Sequence, residues 1–396
     1  MRTPDTFGGK AVLTLAHVVG MIDMVALPVW VGALMQHYRY SPPQAGITVT
    51  VFLLGVVLAS VFFAPRFNRV PRKIAATAGF ALAAVAFFFA SLQPVAASSF
   101  QVLSLLHGAA GLGVGCALTF THGSIGRSAN PHRMFAVVNI MLGVFAVLFL
   151  SGMPQLIQHL GAPVLFSVIA ALMGLTAVVM AMAFPTIPDT SRVLGTAVPL
   201  AGLRIPGVSW FIIGVVVCLT LNQSMVFAFL ERIGAERGFG VERVNGVLIA
   251  LGLVNLTPGL LAALLQKKWS PVTVGMAGPL GQAVLAMVMT SAASFAPYAI
   301  AASLYVFMVI FTHNFLFGLL SRLDPSGRAA AATPAMMMIG SCIGPALGGA
   351  IVQGLGYQGL GWAACGVALV AVLSMWQVRR HLPAASAEAA MRPSHA

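Results

Sequence analysis

The sequence predicts an all-α integral membrane protein with twelve transmembrane helices in two six-helix bundles related by a parallel repeat. Three observations carry this. Hydrophobic residues make up 59% of the 396 residues and charged residues 7%, with a mean hydropathy of +0.96. The apolar residues gather into twelve stretches, each close to the roughly 20 residues that a bilayer span needs. The two halves of the chain echo each other. The runs are continuous rather than alternating, so they read as helices and not as barrel strands. Helices and closed barrels are the structures that satisfy a backbone in lipid.

In chain order the spans fall at 11–35, 44–64, 73–93, 99–122, 133–155, 162–184, 206–230, 244–265, 271–293, 297–319, 329–353 and 357–378. The first is too long for a cleaved signal peptide and lacks a clear small-residue cleavage site. Span 1 carries His17 and Asp23, and span 4 carries His107, with His122 near its end. The glycine run of span 4 (Gly108, Gly111, Gly113, Gly115) has no strand before it. That excludes a nucleotide loop and favours close helix packing. His122 and Asn139 read as interhelical hydrogen-bonding groups. The four prolines between Pro185 and Pro206 cannot continue a helix. They divide the chain into an N-terminal bundle (1–184), a cytoplasmic linker (185–205) and a C-terminal bundle with a short tail (206–396). Span 7 carries Asn222 and Gln223, and span 10 carries His313 and Asn314.

The repeat is visible in short matches. Gln158-His159-Leu160-Gly161 returns as Gln353-Gly354-Leu355-Gly356, and Arg133 returns as Arg328. Ala45-Gly46-Ile47 resembles Asn245-Gly246-Val247. A parallel repeat of six spans places a substrate site near the midplane between the halves and works by rocking them.

Charge orients the spans. With the N-terminus inside, all but four of the 21 Lys and Arg residues fall on the cytoplasmic side, as the positive-inside rule requires. The four outside are Arg39, Arg232, Arg237 and Arg243, and three of them follow directly on Glu231, Glu236 and Glu242. Both termini are then cytoplasmic. The net charge of +13 reports topology and anionic lipid headgroups. It does not report nucleic acid, since no basic run exceeds two adjacent residues. Cys116, Cys218, Cys342 and Cys365 all lie in apolar stretches without metal-ligand spacing. No cofactor, metal, catalytic triad or Walker loop is expected, and therefore no enzyme.

The chain resembles the major facilitator superfamily over essentially its full length. After span 2 that family has a Gly-x-x-x-Asp-Arg-x-Gly-Arg-Lys loop. Here the stretch Ala64-Pro65-Arg66-Phe67-Asn68-Arg69-Val70-Pro71-Arg72-Lys73 keeps Arg69, Arg72 and Lys73 and carries Asn68 in place of the acid. In span 4, His107 stands four residues before Gly111, where the family often has Arg. In span 11, Gly340-Ser341-Cys342-Ile343-Gly344-Pro345-Ala346-Leu347-Gly348-Gly349 fits a Gly-x-x-x-Gly-Pro-x-x-Gly-Gly pattern. Antiporters carry that pattern in span 5, where this chain has only Gly152-Met153-Pro154. The resemblance implies a monomeric carrier in the cell inner membrane, related to the drug/metabolite proton antiporter branch. It also implies that spans 1, 4, 7 and 10 line a central cavity, and that Asn68, Arg69, Arg72 and Lys73 form a cytoplasmic gate loop. Without the acid at position 68 that latch should be weak.

Ionisable groups in hydrocarbon cost about 2.5–3.5 kcal/mol on insertion scales and mark function by default. Asp23, the one acid deep in a span, and His107 and His313, matched in the repeat, are the proton-coupling candidates. His17, Asn222, Gln223 and Asn314 are the substrate-cavity candidates. No Lys or Arg lies mid-span, which disfavours strongly anionic cargo. The function expected is secondary active transport of small organic compounds by alternating access. Proton-coupled efflux of neutral, amphipathic or cationic molecules leads, with proton-symporting import of a small metabolite as the alternative. The expected partners are a small-molecule substrate, protons and membrane lipid.

Overall fold

The computed structural model describes residues 3–186, 207–323 and 333–382. The chain divides into two compact units, Met1–Thr196 and Ala197–Ala396. The expected linker lies almost wholly outside the described residues, as does Arg328.

The first unit holds α1 (Phe7–Gly20), α2 (Asp23–Gln36), α3 (Pro42–Phe63), α4 (Arg72–Ser91), α5 (Phe100–Ile125), α6 (Pro131–Leu160) and α7 (Pro163–Ala183). Their starts follow capping chemistry. Thr6 accepts from the Gly9 N–H to open α1, and Ser41 with Gln44 forms a capping box on α3. Asn130 accepts from the Arg133 N–H to open α6. Each satisfies a donor that a helix start leaves orphaned. Span 1 is not one helix: it breaks at Met21 and Ile22, so α1 and α2 together make one membrane crossing.

The second unit holds α8 (Gly207–Phe227), α9 (Leu230–Glu236), α10 (Val241–Val254), α11 (Pro258–Leu265), α12 (Pro271–Ser291), α13 (Phe295–Leu323) and α14 (Thr333–His381). Here α8 with α9 form one crossing and α10 with α11 another. The glutamate-rich stretch expected as an outer loop is thus corrected: Glu231, Arg232 and Glu236 lie on α9, which prolongs span 7. The 49 residues of α14 are two spans, because Gly356 has φ 68 and ψ −177 and interrupts the helix. The two halves of the sequence repeat behave alike here. Gly161 ends α6 at φ 85 and Gly356 divides α14 at φ 68, both in the region that glycine enters without strain. Eleven long apolar helices among the described residues, the last of them double, account for twelve crossings.

Glycine sets the helix spacing. On α5, a Cβ at Gly111 or Gly115 would strike the α3 backbone at Phe52 or Val56. On its other face, Gly113 lies against Gly79 of α4. Span 4 is therefore clasped between spans 2 and 3, as small residues allow in a membrane bundle. In the second unit, Gly340, Gly344 and Gly348 of α14 lie against Thr220, Ser224 and Met225 of α8. The Gly-Pro pattern of span 11, with Pro345 and Gly349 also buried, forms the seam with span 7. An apolar core of Ile212, Val216, Leu219, Val309, Leu316 and Met375 fills the space beside it. Leu58, Val61, Leu82, Val85 and Phe88 of the first unit are exposed, as lipid-facing positions of a spanning protein must be.

Candidate functional site

Asp23 opens α2 directly after the break in span 1, near the middle of the crossing. It is 4% exposed. Its carboxyl meets the backbone N–H groups of Asp23 and Met24, and no charged side chain among the described residues acts on it. The break creates this site, since a helix interior has no free N–H to offer a carboxylate, whereas a helix start has several. Five residues on, Pro28 cannot bond to the Met24 carbonyl. The half-span is thus polar at its base and loosened above it.

His107 has a different role. Trp30 Nε1 donates to His107 Nε2 at 3.0 Å, and His107 Nδ1 lies 2.6 Å from the Leu103 carbonyl. With Trp30 donating to Nε2, the proton of the neutral ring sits on Nδ1 and is given to Leu103. The Trp30 ring also meets Phe52, Phe87 and Phe166 at centroid distances of 5.3, 5.5 and 6.4 Å. Five helices of the first unit converge there. The expectation that His107 faces a cavity as a titrating group is corrected to a packed ring with both nitrogens engaged. Beyond α2, Tyr38 is fully buried with its hydroxyl unpartnered. Burial, then the neighbouring Tyr40 phenol, pushes the Tyr38 phenol up to about 12, so it is a neutral donor across the physiological range.

His17 lies on α1, on the other side of the break from Asp23. The break at Met21–Ile22 separates the two residues, so they do not share one continuous helix. His17 Nδ1 is 3.0 Å from His122 Nε2 on α5. Sequence reasoning missed this pairing, because nothing local links residues 105 positions apart.

In the second unit, Asn222 Nδ2 donates to the Ala364 carbonyl at 3.0 Å, and Tyr305 donates to the Asn222 carbonyl at 2.7 Å. Gln282, which sequence reasoning also missed, donates to the Leu219 carbonyl at 3.1 Å. Asn222 Oδ1 and Gln282 Oε1 remain buried without partners, two acceptors open to a donor. Gln223, next to Asn222 in sequence, is also buried. His313 is 4% exposed, stacks on Phe317 at 5.4 Å and leaves Nε2 without a partner. It does not mirror His107, which is fully bonded. Asn314 is exposed and turns its amide back to the Ile310 carbonyl of its own helix.

The loop after span 2 is tied down within its own unit. Asn68 Oδ1 accepts from Arg127 at 2.6 Å and from Arg72 at 3.3 Å. Phe67 stacks on Phe120, and a Cβ at Gly123 would strike its ring. The guanidinium groups of Arg127 and Arg72 cover that ring at 4.9 and 5.0 Å. The amide oxygen of Asn68 thus occupies the acceptor place between two arginines. Arg69 and Lys73 are exposed.

A family model described as Major Facilitator Superfamily matches residues 12–333. Two solved structures are similar in fold. One is a D-xylose-proton symporter, at TM-score 0.69 and 17% identity, covering 95% of this chain and 98% of that one. The other is the xylose transporter XylE from E. coli in a partially occluded inward-open conformation, at TM-score 0.73 and 16% identity, with the same coverage. No curated protein matches the sequence.

Proposed function

Because the chain belongs to the major facilitator superfamily, and is therefore a multi-pass membrane transporter and not an enzyme, we propose that it carries small uncharged or cationic organic molecules by alternating access, coupled to protons through Asp23. One observation carries this reading: a buried acid with no counter-charge among the described residues stands at a helix break in mid-span. A lone acid is costly in hydrocarbon unless it serves a proton or substrate path, and half-helix ends are where carriers of this architecture place such sites. The open acceptors Asn222 Oδ1 and Gln282 Oε1 suit a cargo rich in hydrogen-bond donors, because buried polar groups left unpaired are costly.

The direction we propose is uptake by proton symport. The glycine-proline pattern that antiporters carry in span 5 lies here in span 11, where it packs α14 on α8. Both structural relatives named above are xylose carriers, one titled a proton symporter. The runner-up is proton-coupled efflux. We place the protein in the cell inner membrane with both termini cytoplasmic, on the distribution of its Lys and Arg residues. The test is a panel of neutral and cationic compounds, D-xylose included, offered to right-side-out and everted vesicles with and without a pH gradient. Symport predicts accumulation in right-side-out vesicles when the outside is acidic. Accumulation confined to everted vesicles with an acidic interior reverses the direction, and accumulation indifferent to the gradient removes proton coupling.

A further inference from the structure

Spans 1 and 4 meet again closer to the start of α1, at the pair His17 and His122. The two rings lie 5.1 Å apart, tilted by 43°. Of the facing nitrogens, 3.0 Å apart, one must donate and the other accept, so the neutral pair holds a single N–H between them. His17 is 4% exposed, and its second nitrogen, Nε2, is buried with no partner. Phe135 of α6 closes one side of His122 at 5.9 Å.

Among the described residues, the charged and titratable side chains on the surrounding elements are placed as follows: before α1, Asp5 accepts from the Ala129 N–H, and after α5, Arg127 donates to Asn68. On α1, Lys10 is exposed. On α5, His107 is bonded to Trp30, and Cys116 turns to the Ala75 carbonyl of α4. On α6, Arg133 and His159 are exposed, and on α4 Arg72 covers Phe67 while Lys73 is exposed. Helices α3 and α7 carry no such groups. His17 precedes Asp23 by six residues, across the break at Met21–Ile22, toward the N-terminal end of the crossing.

We propose that the His17–His122 pair is a second proton-binding station, which takes the proton that Asp23 releases and hands it to water at the N-terminal end of span 1. The proposal rests on the reading of Asp23 as the coupling group. In the step, the Asp23 carboxylic acid loses H⁺ and becomes a carboxylate. The proton adds to the lone pair of His17 Nε2, while His17 Nδ1–H continues to donate to His122 Nε2. Loss of the proton to water restores the neutral pair, and no other bond changes. A second imidazole suits this task, because a hydrogen bond from a charged donor is roughly twice as strong as a neutral one. Packing alone would be met by a pair with no nitrogen left over.

The test has two arms on the full-length protein in lipid. In the first, histidine ¹⁵N resonances are followed with pH in wild type, His17→Gln, His122→Gln and Asp23→Asn. The proposal predicts one proton taken up jointly by His17 and His122 in a single titration step. That step is missing from either histidine variant and present in Asp23→Asn. No uptake above the pH at which the protein unfolds, or separate uptake by each ring, overturns it. In the second arm, His122→Gln and His122→Asn are expected to slow proton-driven net transport of a panel substrate about 100-fold, while substrate counterflow, which releases no proton, persists. Equal loss of counterflow and net transport assigns the pair to structure and overturns the proposal. Loss of coupling in the histidine variants but not in Asp23→Asn overturns the reading of Asp23 and leaves the titration arm to judge the pair.

Discussion

Trp30 and His107 show how one hydrogen bond decides the role of a side chain. An indole N–H and a buried imidazole satisfy each other at 3.0 Å, and the ring that looked like a proton carrier becomes a structural acceptor. Trp30→Phe keeps the aromatic contacts and orphans His107 Nε2. It should destabilise the first unit by about 1–3 kcal/mol, the cost of an unsatisfied buried polar group. Thermal unfolding of the purified protein in detergent reads this as a lowered midpoint, and an unchanged midpoint contradicts the assignment. Asp23 was legible in the sequence because an acid within an apolar stretch is itself the signal. The partners of His107 and His122 were not, because Trp30 reads as core filler and a contact across spans is set by tertiary packing. Gln282 was missed for the same reason: one amide in a span gives no hint that it bonds the Leu219 carbonyl of another helix.

Helix seams here depend on the absence of a Cβ. Gly344 lies against Ser224 and the Met225 backbone, whereas Gly366 on the same helix has nothing within 4 Å. Gly344→Ala should therefore cost about 1–3 kcal/mol by overpacking, and Gly366→Ala should be neutral. Survival of the monodisperse peak after heating separates the two, and equal survival would mean that the seam is not close-packed. The loop after span 2 makes the opposite kind of prediction. Asn68→Asp places a charge between Arg72 and Arg127 and should strengthen a contact that already exists, whereas Asn68→Ala should loosen it. Hydrogen exchange of residues 66–73 is expected to slow in the first variant and quicken in the second. No difference between them would leave the four cations a topological role only. The expectation of a weak latch treated the amide as a lost acid; the structure shows its oxygen still accepting from both arginines. Of the helix breaks, the one before Pro258 follows the proline rule, but those at Met21–Ile22 and Ala228–Phe229 carry no proline and were invisible to periodicity.

For the molecule as a whole, composition, the repeat and the motifs after span 2 and in span 11 were enough to read the class, the number of crossings and the family, because apolar length and motif residues are properties of sequence. The orientation we propose rests on the charge distribution. A cysteine at Glu236 should react with an impermeant thiol reagent on intact cells and one at Lys268 only after permeabilisation, in a background lacking the four native cysteines. The reverse pattern inverts the proposed topology. What sequence could not supply was which polar groups are already spent on packing and which remain open, since that is fixed by partners on other helices. The account therefore turns on Asp23. The most direct measurement records substrate accumulation and internal pH together in vesicles holding wild type or Asp23→Asn. The account predicts that wild type couples the two, and that Asp23→Asn, folded and inserted at wild-type level, moves substrate only down its own gradient with no proton movement. Accumulation against a gradient by Asp23→Asn at the wild-type rate would contradict it and make Asp23 a structural cap of α2.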